Sequence, residues 1–147
     1  MKLQPYHLHP AAVHFPIALL FVGGAAAVAR FSRRAPDWLA AAESGLLWLG
    51  TVSAWAALGL GLVAEKYAPH VPPAWEVLAE HEALAWWTVG VFSALSVLRL
   101  SATRLKVSTG KRRALELSLW AVGLGLLIAT AMHGGELVYR FGMGVGE

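Results

Sequence analysis

Four long apolar runs, separated by short polar connections, dominate this 147-residue chain. They extend from about Ala11 to Ala29, Leu39 to Ala64, Val77 to Leu98 and Leu115 to Val138. Each approaches or exceeds the ~20 residues that a helix needs to cross the hydrocarbon of a bilayer. The expected fold is all-α: an integral membrane four-helix bundle, with residues 1–147 forming one domain. Composition agrees, since charged residues make up only 14% of the chain against roughly a quarter in a soluble domain. The first run reads as a retained span rather than a cleaved leader. Only Lys2 precedes it, while Arg30, Arg33 and Arg34 follow it at once, as in a stop-transfer pattern.

The connections set the topology. Pro36-Asp37 is a helix start signal before the second span. Pro69, Pro72 and Pro73 break helix before the third, and a polar, basic stretch from Ser101 to Arg113 precedes the fourth. Short loops make consecutive helices antiparallel neighbours, so the expected order is up-down-up-down. Lysine and arginine then orient the bundle. Arg30, Arg33, Arg34, Arg99, Arg104, Lys106, Lys111, Arg112 and Arg113 fall at one end, and only Lys2, Lys66 and Arg140 at the other. The positive-inside rule puts the first group in the cytoplasm and both termini outside, in the periplasm if the membrane is a bacterial inner membrane. The basic residues therefore argue for topology and lipid contact, not for nucleic acid.

Several chemistries are excluded or unsupported. No cysteine is present, which rules out disulfides, thiolate metal sites, iron–sulfur ligation by this chain and c-type haem attachment. No serine or threonine lies in a nucleophile motif. Gly142, Gly144 and Gly146 follow no strand and precede no helix, so they are not a dinucleotide fingerprint. Small residues at helical spacing in the second span (Gly50, Ser53, Ala54, Ala57 and Gly61) read as close helix packing. Trp38 and Trp75 at span ends fit an aromatic belt, and the deeper tryptophans read as packing residues.

The histidines are the exception. Of six, His14, His81 and His133 fall on three different spans. Counted from the basic residues Arg30, Arg99 and Arg113, they lie about 24, 27 and 30 Å along their helices, in one layer near the outer interface. His9 lies just above that layer. An ionisable side chain inside a span is costly and usually faces the bundle interior or a partner. Neutral imidazole is the commonest transition-metal ligand. A b-type haem needs one or two axial imidazoles from facing helices. Because the first and third spans are diagonal in such a bundle, His14 and His81 are the expected pair, with His133 as an alternative or additional ligand. Ala18, Ala85, Ala129 and Gly134-Gly135 would leave room. Tyr139, Arg140 and Lys66 at the outer rim are candidates for the haem propionates.

Other readings stay open: a divalent metal held by His9, His14, His81 and His133, a proton or polar-ligand site, or a structural cluster. Zinc usually takes a tight tetrahedral set, often with a carboxylate, and Glu80 and Glu82 point to other helix faces than His81. Those glutamates also read as charges that solvate the start of the third span. Glu136 either orients His133 or is an interfacial charge.

The opening His9-Pro10-Ala11-Ala12-Val13-His14-Phe15-Pro16-Ile17-Ala18-Leu19 and the ending Gly134-Gly135-Glu136-Leu137-Val138-Tyr139, followed by Gly142 and Gly144-Val145, resemble a bacterial family of small membrane proteins of unknown function. That family is marked by HPxxVHFPIAL and GGxLVYxxGxGV. The resemblance covers the whole chain and implies four helices. Some relatives resemble fusions to Rieske-type iron–sulfur domains, which implies redox work. Relatives often carry a histidine after the Val-Tyr pair, where this chain has Phe141. If that histidine pairs with His9 in relatives, this chain lacks the second centre, and one centre is expected. The resulting expectation is a non-enzymatic haem b electron carrier working with a redox partner protein or a quinone, in a possible oligomer. The rivals are a cofactor-free membrane interaction or assembly subunit and a divalent-metal-binding protein.

Overall fold

A computed structural model describes residues 5–30, 32, 34–67, 71–101 and 109–143. Lys2, Arg33, Pro69, His70, Arg104, Lys106, Gly144, Gly146 and Glu147, which bear on the sequence expectations, lie outside the described residues. The helices are α1 (Leu8–Ala12), α2 (His14–Ala29), α3 (Trp38–Tyr67), α4 (Trp75–Leu100) and α5 (Thr109–Tyr139). Four stretches are long and apolar enough to span a membrane: Leu8–Ala29, Trp38–Tyr67, Pro72–Leu100 and Gly110–Tyr139. Only 22–33% of each span's most apolar window is buried within the bundle. Most apolar side chains are therefore left partly or fully uncovered by the bundle, as suits a lipid surrounding. The chain is a multi-pass membrane protein with an all-α, up-down-up-down bundle.

Local sequence explains the helix ends. α3 begins where the carbonyls of Pro36 and Asp37 accept from the amides of Leu39 and Ala40. A 3-10 turn, Pro72–Ala74, with proline in its first positions, leads into α4. α5 starts several residues before the apolar run, because Arg112 and Glu116 pair across one helical turn. It is closed by Gly142, whose φ of +69° allows an αL cap. The Gly142 amide bonds the Val138 carbonyl and the Met143 amide bonds the Leu137 carbonyl. This gives the first glycine of the tail a defined job in ending the helix.

α1 runs into α2 through Val13, whose backbone stays helical at φ −61° and ψ −22°. Pro16 cannot donate to the Ala12 carbonyl, and its ring crowds that carbonyl. The turn bearing His9 packs on α3.

Consecutive helices pack side by side, and α2 packs on α5, closing a ring in which the first and third spans are diagonal. The main core joins Leu20, Leu47, Phe92, Leu95, Trp120 and Leu127. Ala54, Leu58 and Val89 form a second cluster, with Ala85 against it. Gly123 lets the Phe92 ring lie against α5, since a Cβ there would come within 2.8 Å of it. Hydroxyl pairs join helices across the interior: Thr51 with Ser96 at 3.1 Å, and Thr88 with Thr130 at 3.0 Å. Thr51 donates to the Leu47 carbonyl, so Ser96 is the donor of its pair; Thr88 and Thr130 each lie within reach of the carbonyl four residues back, and the one that donates to its carbonyl accepts from the other. Trp120 is a core residue, whereas Trp55, Trp86 and Trp87 face outward.

Candidate functional site

Two polar assemblies occupy opposite ends of the bundle. The outer one is built on histidine. His9 Nδ1 lies 2.9 Å from the Ala57 carbonyl oxygen on α3. His81 Nδ1 lies 2.9 Å from the Thr130 carbonyl oxygen on α5. A carbonyl only accepts, so both rings carry their proton on Nδ1 and keep the Nε2 lone pair. That is the tautomer a metal takes, with the other nitrogen fixed by a backbone partner.

The two rings meet edge to face, with centres 6.2 Å apart and planes at 79°. Glycines seat both rings. A Cβ at Gly61 would come within 3.1 Å of His9 Cε1, and a Cβ at Gly134 within 3.0 Å of His81 Cε1. Gly134 therefore does give the close approach expected of it, and Gly61 serves a ring as well as helix packing.

His14 and His133 are placed differently from the expected ligand set. His14 is exposed, with Nδ1 3.4 Å from the Ala11 carbonyl. His9 takes the inward position opposite His81 instead. The physical reason is angular. Five residues turn a helix by about 140°, so His9 and His14 cannot face the same interior, and His9 is the one turned to α3. His133 Nδ1 lies 2.9 Å from the Ala129 carbonyl, and its Nε2 lies 3.2 Å from Glu80 Oε2. Both neighbours are acceptors when Glu80 is ionised, so both bonds form together only with two ring protons, leaving no lone pair for a metal. Among the described residues, no three His, Asp or Glu side chains converge as a metal-binding group. The expected four-histidine metal set is therefore not assembled.

The acidic neighbours also sort themselves. Glu80 is the partner of His133, Glu82 accepts from Trp86 Nε1 at 3.2 Å, and Glu136 pairs with Arg140 rather than orienting His133. Tyr139 stands 93% exposed, and the Arg140 guanidinium lies over the Phe141 ring. Lys66 lies over the ring of Tyr67.

The second assembly went unread in the sequence. Glu43, only 1% exposed, sits in α3 about 21 Å along the helix from Ala57. Its carboxylate bridges Arg30 and Arg99 and accepts from Trp120 Nε1 at 3.3 Å. Glu116 lies 3.1 Å from Arg99 and 3.5 Å from Arg112. Arg113 donates to the Arg30 carbonyl at 2.6 Å. All four spans are tied together here. The available signal was an acid inside each of two apolar runs.

The profile of the family described as "Predicted membrane protein (DUF2231)" matches residues 5–147. The chain belongs to this family. No curated protein and no solved structure matches it. The family's description gives membrane residence and no activity, so the two polar assemblies are the places to look for one.

Proposed function

We propose that this chain is a membrane-embedded haem b protein that carries electrons, with His9 and His81 as its axial ligands near the outer face. One observation carries the reading: two imidazoles from diagonal spans stand 6.2 Å apart, each in the tautomer that leaves Nε2 free to ligate. The donor set favours haem over a bare divalent ion. Zinc takes three or four protein ligands, whereas a haem brings four equatorial nitrogens and asks the protein for one or two imidazoles. The described residues supply two. When bound, the haem would supply a reversible one-electron iron couple. The chain's own part is to hold both rings through Ala57 and Thr130, to seat them on Gly61 and Gly134, and to surround them with apolar helix.

In this reading the basic loops face the cytoplasm of a bacterial cell and both termini lie outside, following the nine-to-three charge bias. The electrons would pass between a quinol in the membrane and a redox protein outside it. The test is haem content per chain across histidine variants. We expect about one haem in the wild type, in His14→Ala and in His133→Ala, and loss in His9→Ala and His81→Ala. Loss in His14→Ala with retention in His9→Ala would overturn the pairing. Folded protein without haem in every case would leave a cofactor-free subunit, and stoichiometric zinc or copper by elemental analysis would make this a metal protein instead.

A further inference from the structure

The first two spans are built like the last two. His9 donates to a carbonyl 48 residues further along the chain, and His81 to one 49 residues further. Four residues beyond each of those carbonyls stands the glycine that seats the ring, Gly61 for His9 and Gly134 for His81. The likeness continues down the bundle. In the core, Leu20 packs on Gly50 as Phe92 packs on Gly123, and at both glycines a Cβ would come within 2.8 Å of that side chain. At the basic end the buried carboxylates are Glu43 and Glu116, and Arg99 reaches both. One fixed shift along the sequence carries His9 and Leu20 onto His81 and Phe92. A shift longer by a single residue carries Glu43, Gly50, Ala57 and Gly61 onto Glu116, Gly123, Thr130 and Gly134. A register kept over about five helical turns, through a buried acid, a core contact and an imidazole seat, marks a repeated unit.

We propose that the chain is a tandem repeat of one two-span hairpin, and that the imidazole pair is a twofold site between the repeats, holding a ligand that takes one nitrogen from each. Parallel repeats in a membrane protein are related by an axis along the membrane normal. The ring of helices fits that rotation, which exchanges the first span with the third and the second with the fourth. The repeat also selects the ligand pair by a criterion independent of distance. His14 corresponds to Trp86, and His133 to Leu60, so neither has a counterpart in the other hairpin, whereas His9 and His81 are each other's. Two equivalent seats make equal demands on what lies between them. A haem iron meets them with two axial positions on opposite faces. On the haem reading, on which this step rests, both positions are filled by the protein and none is open to an outside ligand such as carbon monoxide.

The test compares matched variants of the full chain. Gly61→Ala and Gly134→Ala should each weaken haem binding by about 10–100-fold, the usual loss when the support of a ligating imidazole is disturbed, and by similar factors. The oxidised wild type should give a low-spin electron paramagnetic resonance spectrum, and its reduced form should not bind carbon monoxide. A loss in one glycine variant with none in the other, a high-spin spectrum, or carbon monoxide binding would overturn the twofold site. Should a glycine variant fail to fold, the wild-type spectra decide. Folded wild type without haem would instead sink the haem reading, and the repeat is then judged on nitrogen magnetic resonance of labelled histidines. His9 and His81 should both be protonated on Nδ1, with Gly61→Ala disturbing the first ring most and Gly134→Ala the second; different tautomers in the two rings would overturn their equivalence.

Discussion

Replacing Glu43 by glutamine should loosen the whole basic end of the bundle. The substitution keeps the shape and removes the charge. It leaves an amide N–H pointing at a guanidinium where a carboxylate oxygen had been. One charge-assisted bond is lost and the other becomes a weaker bond to an amide oxygen; with each charge-assisted bond worth about 1.5–3 kcal/mol, about 3–6 kcal/mol is the upper range. Two features reduce it. Arg99 keeps Glu116 at 3.1 Å, and Arg30, whose side chain is 30% exposed, can turn toward water. We therefore expect a loss of about 2–4 kcal/mol, close to what breaking one buried pair costs. Arg30→Gln should cost about 1 kcal/mol, because Glu43 retains Arg99 and the lost partner is partly exposed. The assay is reversible unfolding in mixed micelles of neutral and ionic detergent, followed by tryptophan fluorescence. A loss below about 1 kcal/mol for Glu43→Gln, or an equal loss for Arg30→Gln, would refute the view that the buried carboxylate holds the helix ends together.

Other outcomes follow from particular contacts. Gly123→Ala should destabilise the bundle by about 1–3 kcal/mol in the same unfolding assay, because the new Cβ would meet the fully buried Phe92 ring at 2.8 Å; an unchanged midpoint would contradict this. Gly134→Ala should displace the His81 ring, which Thr130 holds in place, and so lower haem retention while leaving helix content by circular dichroism intact. A periplasm-active reporter fused to the C-terminus should be active, and activity of a cytoplasm-dependent reporter there would reverse the orientation.

The four spans were legible because hydropathy depends only on local sequence, and the helices run at most a few residues beyond the apolar runs at most ends. α5 is the exception at its start, where Lys111, Arg112 and Arg113 are too polar to read as span but remain helical through the Arg112–Glu116 turn. The partner of His81 was not legible: counting along the helices put His14 level with His81, whereas the ring beside His81 is that of His9. Distance along a helix says nothing of azimuth. The acceptors at Ala57 and Thr130 were equally hidden, because a backbone carbonyl leaves no mark in sequence. Glu43 and Glu116 were visible as acids in apolar runs, but their arginine partners lie up to 56 residues from them. Only the packing of four helix ends brings them together.

The central claim is that the neighbouring rings of His9 and His81 hold a haem. A reduced-minus-oxidised absorption spectrum of the detergent-purified protein, produced in cells able to supply haem, tests it most directly. Sharp b-type bands that vanish in His9→Ala and His81→Ala are the predicted result; a flat spectrum from folded wild-type protein would contradict the claim.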